Sequence, residues 1–249
     1  MSDLAVVLFG SLIMSSIALL GGIVVVLRPQ SLQPLLIPLV SLSAGSLLGG
    51  ALFHLVPEGL ATLPPLQAAV WMASGFTTFL AFEQFLHWHH SHRQRQNPER
   101  AIQPMQPKAF LILLGDGLHN LICGLGITSA YLLNPGAGVA AWLAALLHEV
   151  PQELGDFGVL VHSGLSPRRA LAWNLISALT FPLGALVAWG FQWLIALAPL
   201  VLFASGNFLY VAASDLVPEI KAQASFPEAA ASFAWFCVGL LLMLSLAAG

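Results

Sequence analysis

The feature that most constrains this chain is a run of about 20 apolar residues, repeated again and again, with hardly a charge inside it. A helix of about 20 residues crosses the roughly 30 Å hydrocarbon core of a bilayer. Charged residues make up 8% of the 249 residues and apolar ones 58%, whereas an ordinary soluble domain carries charge at about a quarter of its positions. Burying a backbone in lipid requires every N–H and C=O to be satisfied within the segment, so repeated apolar runs predict an all-α integral membrane protein. We read eight segments, near 4–27, 34–57, 65–88, 109–133, 138–161, 170–191, 197–217 and 229–248, forming one domain over 1–249. The sixth and seventh are separated only by Gln192 and Pro199. The first run is longer than the apolar part of a signal peptide and lacks basic residues before it, so it is expected to stay in the membrane. Cys123 and Cys237 both fall inside apolar segments and suggest no disulfide framework.

Eight segments sort the basic residues onto one side. Arg28 follows segment 1, Arg93, Arg95, Arg100 and Lys108 lie between 3 and 4, Arg168 and Arg169 between 5 and 6, and Lys221 between 7 and 8. The positive-inside rule makes that side cytoplasmic and both termini extracytoplasmic, in a plasma (inner) membrane. Segments 2 and 7 also align at an offset of 161, pairing Gly45 with Gly206, His54 with Asp215, and Leu55-Val56-Pro57-Glu58 with Leu216-Val217-Pro218-Glu219. They cross in opposite senses, which predicts an inverted repeat of segments 1–3 and 6–8 around segments 4–5.

Asp116, His119, Asn120 and Cys123 follow one another at helical spacing and share one face of segment 4. Segment 5 carries His148, Glu149, Gln152, Glu153 and Asp156 around Pro151, which frees the carbonyl near position 147 toward a cavity or an ion. Ionisable side chains at membrane depth cost several kcal/mol unless partnered, and a cation is their natural partner. Imidazole, thiol and carboxylate together suit zinc or a neighbouring transition metal better than magnesium or calcium, which prefer oxygen alone. The pairs His119 with Cys123 and His148 with Gln152 are spaced to present four ligands to one ion.

His119-Asn-Leu-Ile-Cys-Gly124 and His148-Glu-Val-Pro-Gln-Glu-Leu-Gly-Asp156 resemble the segment-4 and segment-5 signatures of the ZIP (Zrt-, Irt-like protein) family of metal-ion transporters. His54-Leu-Val-Pro-Glu58 and Gly206-Asn-Phe-Leu-Tyr210 leading to Asp215-Leu-Val-Pro-Glu219 are supporting matches. The resemblance implies transport of divalent transition metals, zinc first and cadmium or iron(II) next, toward the cytoplasm between segments 4 and 5. It implies a primary site of His119, Cys123, His148 and Gln152, and a second of Asn120 and Glu149, with Asn174 as an addition. Cys123 stands where the family pattern has an acid and Gln152 where it has His or Glu. Cys123 leans the site toward thiophilic ions and away from manganese, and Gln152 leaves the second ion weakly held or absent.

Accessory candidates are His54 and Glu58 at the outer end of segment 2, Asp116, and Asp215. A His-bearing cytosolic loop over 89–107, with His87, His89, His90 and His92 at its start, is expected to bind metal or to form a surface cluster. The expected partners are divalent ions and the lipid bilayer, with no cofactor and no nucleic acid; a homodimer is a candidate assembly. Two other readings compete. An intramembrane zinc metallohydrolase would use His148-Glu149, but the second histidine of that motif is Gln152. A metal-sensing membrane receptor would bind without transporting.

Overall fold

The computed structural model describes residues 3–27, 29–96, 107–162, 164–223 and 225–248, and their regular structure is entirely helical. Helix α1 spans Asp3–Leu27 and α2 Pro29–Gly50; a π-helical stretch, Ala51–Leu55, leads into α3, Val56–Leu60. Helices α4 (Pro65–Gln96), α5 (Pro107–Leu133) and α6 (Pro135–His162) follow. The sixth predicted segment is divided at Leu179 into α7 (Pro167–Ala178) and α8 (Thr180–Phe191). Helix α9 (Leu197–Tyr210), a second π-helical stretch (Val211–Leu216), α10 (Val217–Lys221) and α11 (Phe226–Ala248) complete the order. Among the described residues, four continuous stretches, Ile37–Leu60, Pro167–Phe191, Leu197–Lys221 and Phe226–Ala248, are long and apolar enough to cross a membrane. The break expected near Gln192 falls between Phe191 and Leu197. Helix α4 runs eight residues past its expected end, so 89–96 has helical backbone, and 97–106 lies outside the described residues.

Prolines shape these helices, and hydroxyls from neighbouring helices mend what they break. Pro151 cannot donate to Leu147, and Ser43 of α2 bonds the freed carbonyl at 2.6 Å. That carbonyl, expected to face a cavity or an ion, accepts from a neighbouring helix. Pro182 leaves the carbonyl of Ala178 free in the same way, and Ser15 of α1 takes it at 2.8 Å. Each π-helical stretch ends two residues before a proline, Pro57 or Pro218. Its wider turn, closed by Val56 N–H to Ala51 O and by Val217 N–H to Ala212 O, gives the proline ring room.

Helix α2 packs along α11, α4 along α9, and α5 along α8, while α5 and α6 also contact each other at the centre. Three of these contacts are backbone-to-backbone crossings at glycine. A methyl group on Gly45 would strike the backbone of Phe236, and one on Gly239 that of Leu42, so α2 and α11 need both glycines. Gly206 against Met72 and Gly75 against Phe203 play the same parts between α9 and α4, and Gly124 against Phe181 and Gly184 against Leu121 between α5 and α8. Such small-residue crossings are how helices pack without a hydrophobic driving force between them. An apolar cluster including Met14, Leu47, Leu55, Ile127, Ala144, Phe181 and Phe208 surrounds the α5–α6 contact.

Candidate metal centre

The polar faces of α5 and α6 meet inside that apolar sleeve. Asp116, His119, Asn120, Cys123, His148, Glu149 and Glu153 are all buried. Helical spacing puts each set on one face of its helix, and the close approach of α5 and α6 turns the two faces together.

One cluster mixes nitrogen, sulfur and oxygen. His119 Nε2 and His148 Nε2 stand 2.9 Å apart, Cys123 Sγ is 3.4 Å from His119 Nε2, and Glu149 Oε2 is 3.7 Å from His148 Nε2. His119, His148 and Glu149 each offer a ligand atom within 4.8 Å of the others, and the 2.9 and 3.7 Å separations lie inside the roughly 4.4 Å that two bonds of about 2.2 Å to a shared ion can span. A second cluster is all oxygen: carboxylate oxygens of Asp116, Glu149 and Glu153 lie within 4.8 Å of one another. Glu149 belongs to both.

The remaining candidates are placed differently from the expected ligand sets. Gln152 does not join His148; its amide donates to Asp116 Oδ1 at 3.0 Å. Asn120 donates to the same oxygen at 2.9 Å, and Ser177 of α7 donates to Asp116 Oδ2. Asp116 is thus a buried hub. Asn174 of α7 is buried and donates to Glu153 rather than meeting Glu149. Asp156, half-buried, follows Glu153 by three residues on α6. His54 is buried, and its Nε2 lies 2.9 Å from the Met243 carbonyl of α11, so it ties two helices together instead of standing at an open entrance. Glu58 is half-buried in α3 and Asp215 is exposed. The side chains of His87, His89, His90 and His92 lie outside the described residues.

Two residues beside the centre were not singled out as candidates from the sequence. Ser177 follows Asn174 by one helical turn, a spacing that could have flagged it. Asn207 of α9 is buried, with its Nδ2 3.4 Å from His119 Nδ1 and 3.8 Å from Cys123 Sγ. Its signals were an amide amid an apolar helix and its place in Gly206-Asn-Phe-Leu-Tyr210. Among the described residues, Glu153 Oε1, Asn174 Oδ1 and Asn207 Oδ1 are buried without hydrogen-bond partners. Each such group costs about 1–3 kcal/mol, and all three are oxygens that an arriving cation or its water could satisfy.

A protein-family model described as ZIP Zinc transporter matches residues 87–247. Zinc transporter ZIP4 of Mus musculus is 42% identical over 131 residues, covering 49% of this chain and 19% of that protein. Zinc transporter foi of Drosophila melanogaster is 36% identical over 122 residues, 46% of this chain and 16% of its own length. Zinc transporter ZIP10 of Homo sapiens is 33% identical over 141 residues, 53% of this chain and 17% of that protein. The matched region thus spans less than a fifth of each of these relatives.

Proposed function

The chain belongs to the ZIP zinc transporter family, and from that premise we propose that it carries divalent transition-metal ions, zinc foremost, across the plasma (inner) membrane toward the cytoplasm by way of the centre between α5 and α6. The observation that carries this reading is the convergence of His119, His148 and Glu149, with Cys123 against His119, in a buried space lined otherwise by apolar side chains. Burying that set is unfavourable without a partner, and a soft-to-borderline cation matches its donors. Zinc fits imidazole, thiolate and carboxylate together; cadmium fits the sulfur better still, and iron(II) is a weaker candidate. The metal is cargo, and no cofactor is required. The family consists of transporters and the chain is not an enzyme.

A second ion position is the Asp116–Glu149–Glu153 cluster, whose three carboxylates bring ligand atoms within 4.8 Å of one another, with Asn120 donating to Asp116 beside it. In the eight-segment topology this cluster lies one turn nearer the cytoplasm than His119 and His148, in the direction of transport. Support for eight segments comes from helix length: α1, α4, α5 and α6 have 25, 32, 27 and 28 residues, about 37–48 Å at 1.5 Å per residue. Support for the inverted repeat comes from paired local devices at the offset of 161. Gly45 and Gly206 each press on the backbone of a partner helix, and each π-helical stretch precedes Val-Pro-Glu. Two similar halves facing opposite ways give a route for alternating access to a central ion.

Zinc flux into proteoliposomes tests the reading, and it also separates a transporter from a receptor that only binds. His148→Ala should abolish uptake while leaving a folded protein by size-exclusion chromatography; near-normal uptake would remove the centre from the pathway.

A further inference from the structure

We infer that Phe79 is a positioning residue: its ring, steadied by Tyr210, sets the tilt of the His119 imidazole so that His119 and His148 aim at one ion. The inference rests on the metal-binding reading of the centre given above.

Nothing local fixes the tilt of a histidine ring. Its outer torsion is broad and roughly two-fold, whereas a metal is bonded by a lone pair lying in the ring plane, so a swing of the ring carries the ligand atom off target. Metal-bound histidines are usually oriented by a hydrogen bond on the ring's far side. Here the Asn207 carboxamide comes only to 3.4 Å from His119 Nδ1, long for a hydrogen bond. Orientation therefore falls to the packed rings. The two imidazoles stand at 87° with centroids 5.2 Å apart and Nε2 atoms 2.9 Å apart. Two bonds of about 2.05 Å meeting at a right angle on a shared ion span about that distance.

The ring of Phe79, buried in α4, meets His119 edge-on, at 89° and 5.9 Å between centroids. That lies within the roughly 4.5–7 Å over which edge-to-face pairs attract. Phe79 is held in turn. Phe76, Phe79 and Glu83 follow one another by three and four residues and share one face of α4, and all three reach Tyr210 of α9. The rings of Phe76 and Phe79 lie 5.2 and 6.4 Å from the Tyr210 ring, and the Tyr210 hydroxyl donates to the Glu83 carboxylate. Tyr210 is thus pinned at its ring and at its tip.

The backbone crossing beneath these rings prevents them from backing away. Gly75 lies on the backbone of Phe203, and Gly206 on that of Met72 and Phe76, so close that a methyl group on either glycine would collide. Helix α4 thereby shapes the centre through a ring on His119, without lending it a donor atom from Phe79.

The experiment uses the full chain purified in detergent, as wild type, Phe79→Leu, Tyr210→Phe, the double variant, and Leu202→Ala. Leu202 is buried in α9 against Gly59 of α3 and controls for a general loss of stability. Zinc affinity is measured by competition with a chromogenic chelator, and ligand geometry by the visible absorption bands of bound cobalt(II). Phe79→Leu should bind zinc about 2- to 10-fold more weakly, the worth of one edge-on ring contact, with altered cobalt bands. Tyr210→Phe, which removes one oxygen, should move both readouts the same way by less. The double variant should be no weaker than Phe79→Leu, because Tyr210 acts through that ring. Leu202→Ala should lower the Tm and leave zinc affinity and cobalt bands unchanged. The inference is overturned if Phe79→Leu keeps wild-type affinity and bands, if Leu202→Ala weakens zinc as much, or if the two losses add in the double variant. Should Phe79→Leu fail to fold, Tyr210→Phe decides, and wild-type cobalt bands there overturn the inference. Wild-type protein that binds no zinc, or binds it unchanged in His148→Ala, defeats the metal-centre reading itself; tight wild-type binding with an unaffected Phe79→Leu defeats only the role of Phe79.

Discussion

The two clusters that share Glu149 are built to different plans. Around Asp116 the protein supplies its own donors: Asn120, Gln152 and Ser177, from three helices, all bond its carboxylate. Around His119 and His148 the polar side chains among the described residues are the candidate ligands themselves and Asn207. A carboxylate already wrapped in hydrogen bonds is stabilised without a metal, while two imidazoles facing each other across 2.9 Å share one hydrogen bond between them. The difference teaches that abundance of acids does not locate the tighter site. On the reading proposed above, the mixed cluster is the one prepared for a cation, and the all-oxygen cluster is a weaker, harder neighbour.

The comparison can be broken most directly by removing one member from each cluster. We expect His119→Ala to lower zinc affinity by at least 100-fold, the scale of removing a ligand outright when even partners behind ligands are worth about 10- to 100-fold. Asp116→Asn should cost less than about tenfold, because the carboxamide can still meet part of its surroundings; calorimetry on the purified variants checks both. An Asp116→Asn loss as large as that of His119→Ala would erase the distinction. A finer test is Cys123→Asp, which exchanges the soft donor for a hard one and should shift the cadmium-to-manganese affinity ratio by about tenfold toward manganese, read from competition in proteoliposome uptake. The smallest expected effect lies outside both clusters. Ser43→Ala strands the Leu147 carbonyl freed by Pro151 and should destabilise the protein by about 1–3 kcal/mol, seen as a lower Tm in detergent, with the metal preference unchanged.

Much of this protein was legible without coordinates. The helical spacing of Asp116, His119, Asn120 and Cys123, and of His148, Glu149, Gln152 and Glu153, placed each group on one face because helix periodicity is local. The same patterns carried the resemblance to the family that the chain proved to belong to. The break between Phe191 and Leu197 was also readable, from a glutamine and a proline in an otherwise apolar run. What the spacing could not say was which side chain each polar group would choose. Gln152 and Asn120 were expected beside metal ions, and both turned to Asp116; His54 was expected at an entrance, and it bonds Met243.

Sequence by itself therefore determined the solvent of the chain, its helices and the residue types able to hold an ion. Only the tertiary structure decided how those residues are shared: Glu149 between two clusters, Asp116 among donors from α5, α6 and α7, and His119 against an amide on α9. The reason is physical. Periodicity is fixed by bonds within about four residues along one helix, whereas a buried polar side chain is directed by whichever donor or acceptor another helix brings within about 3 Å.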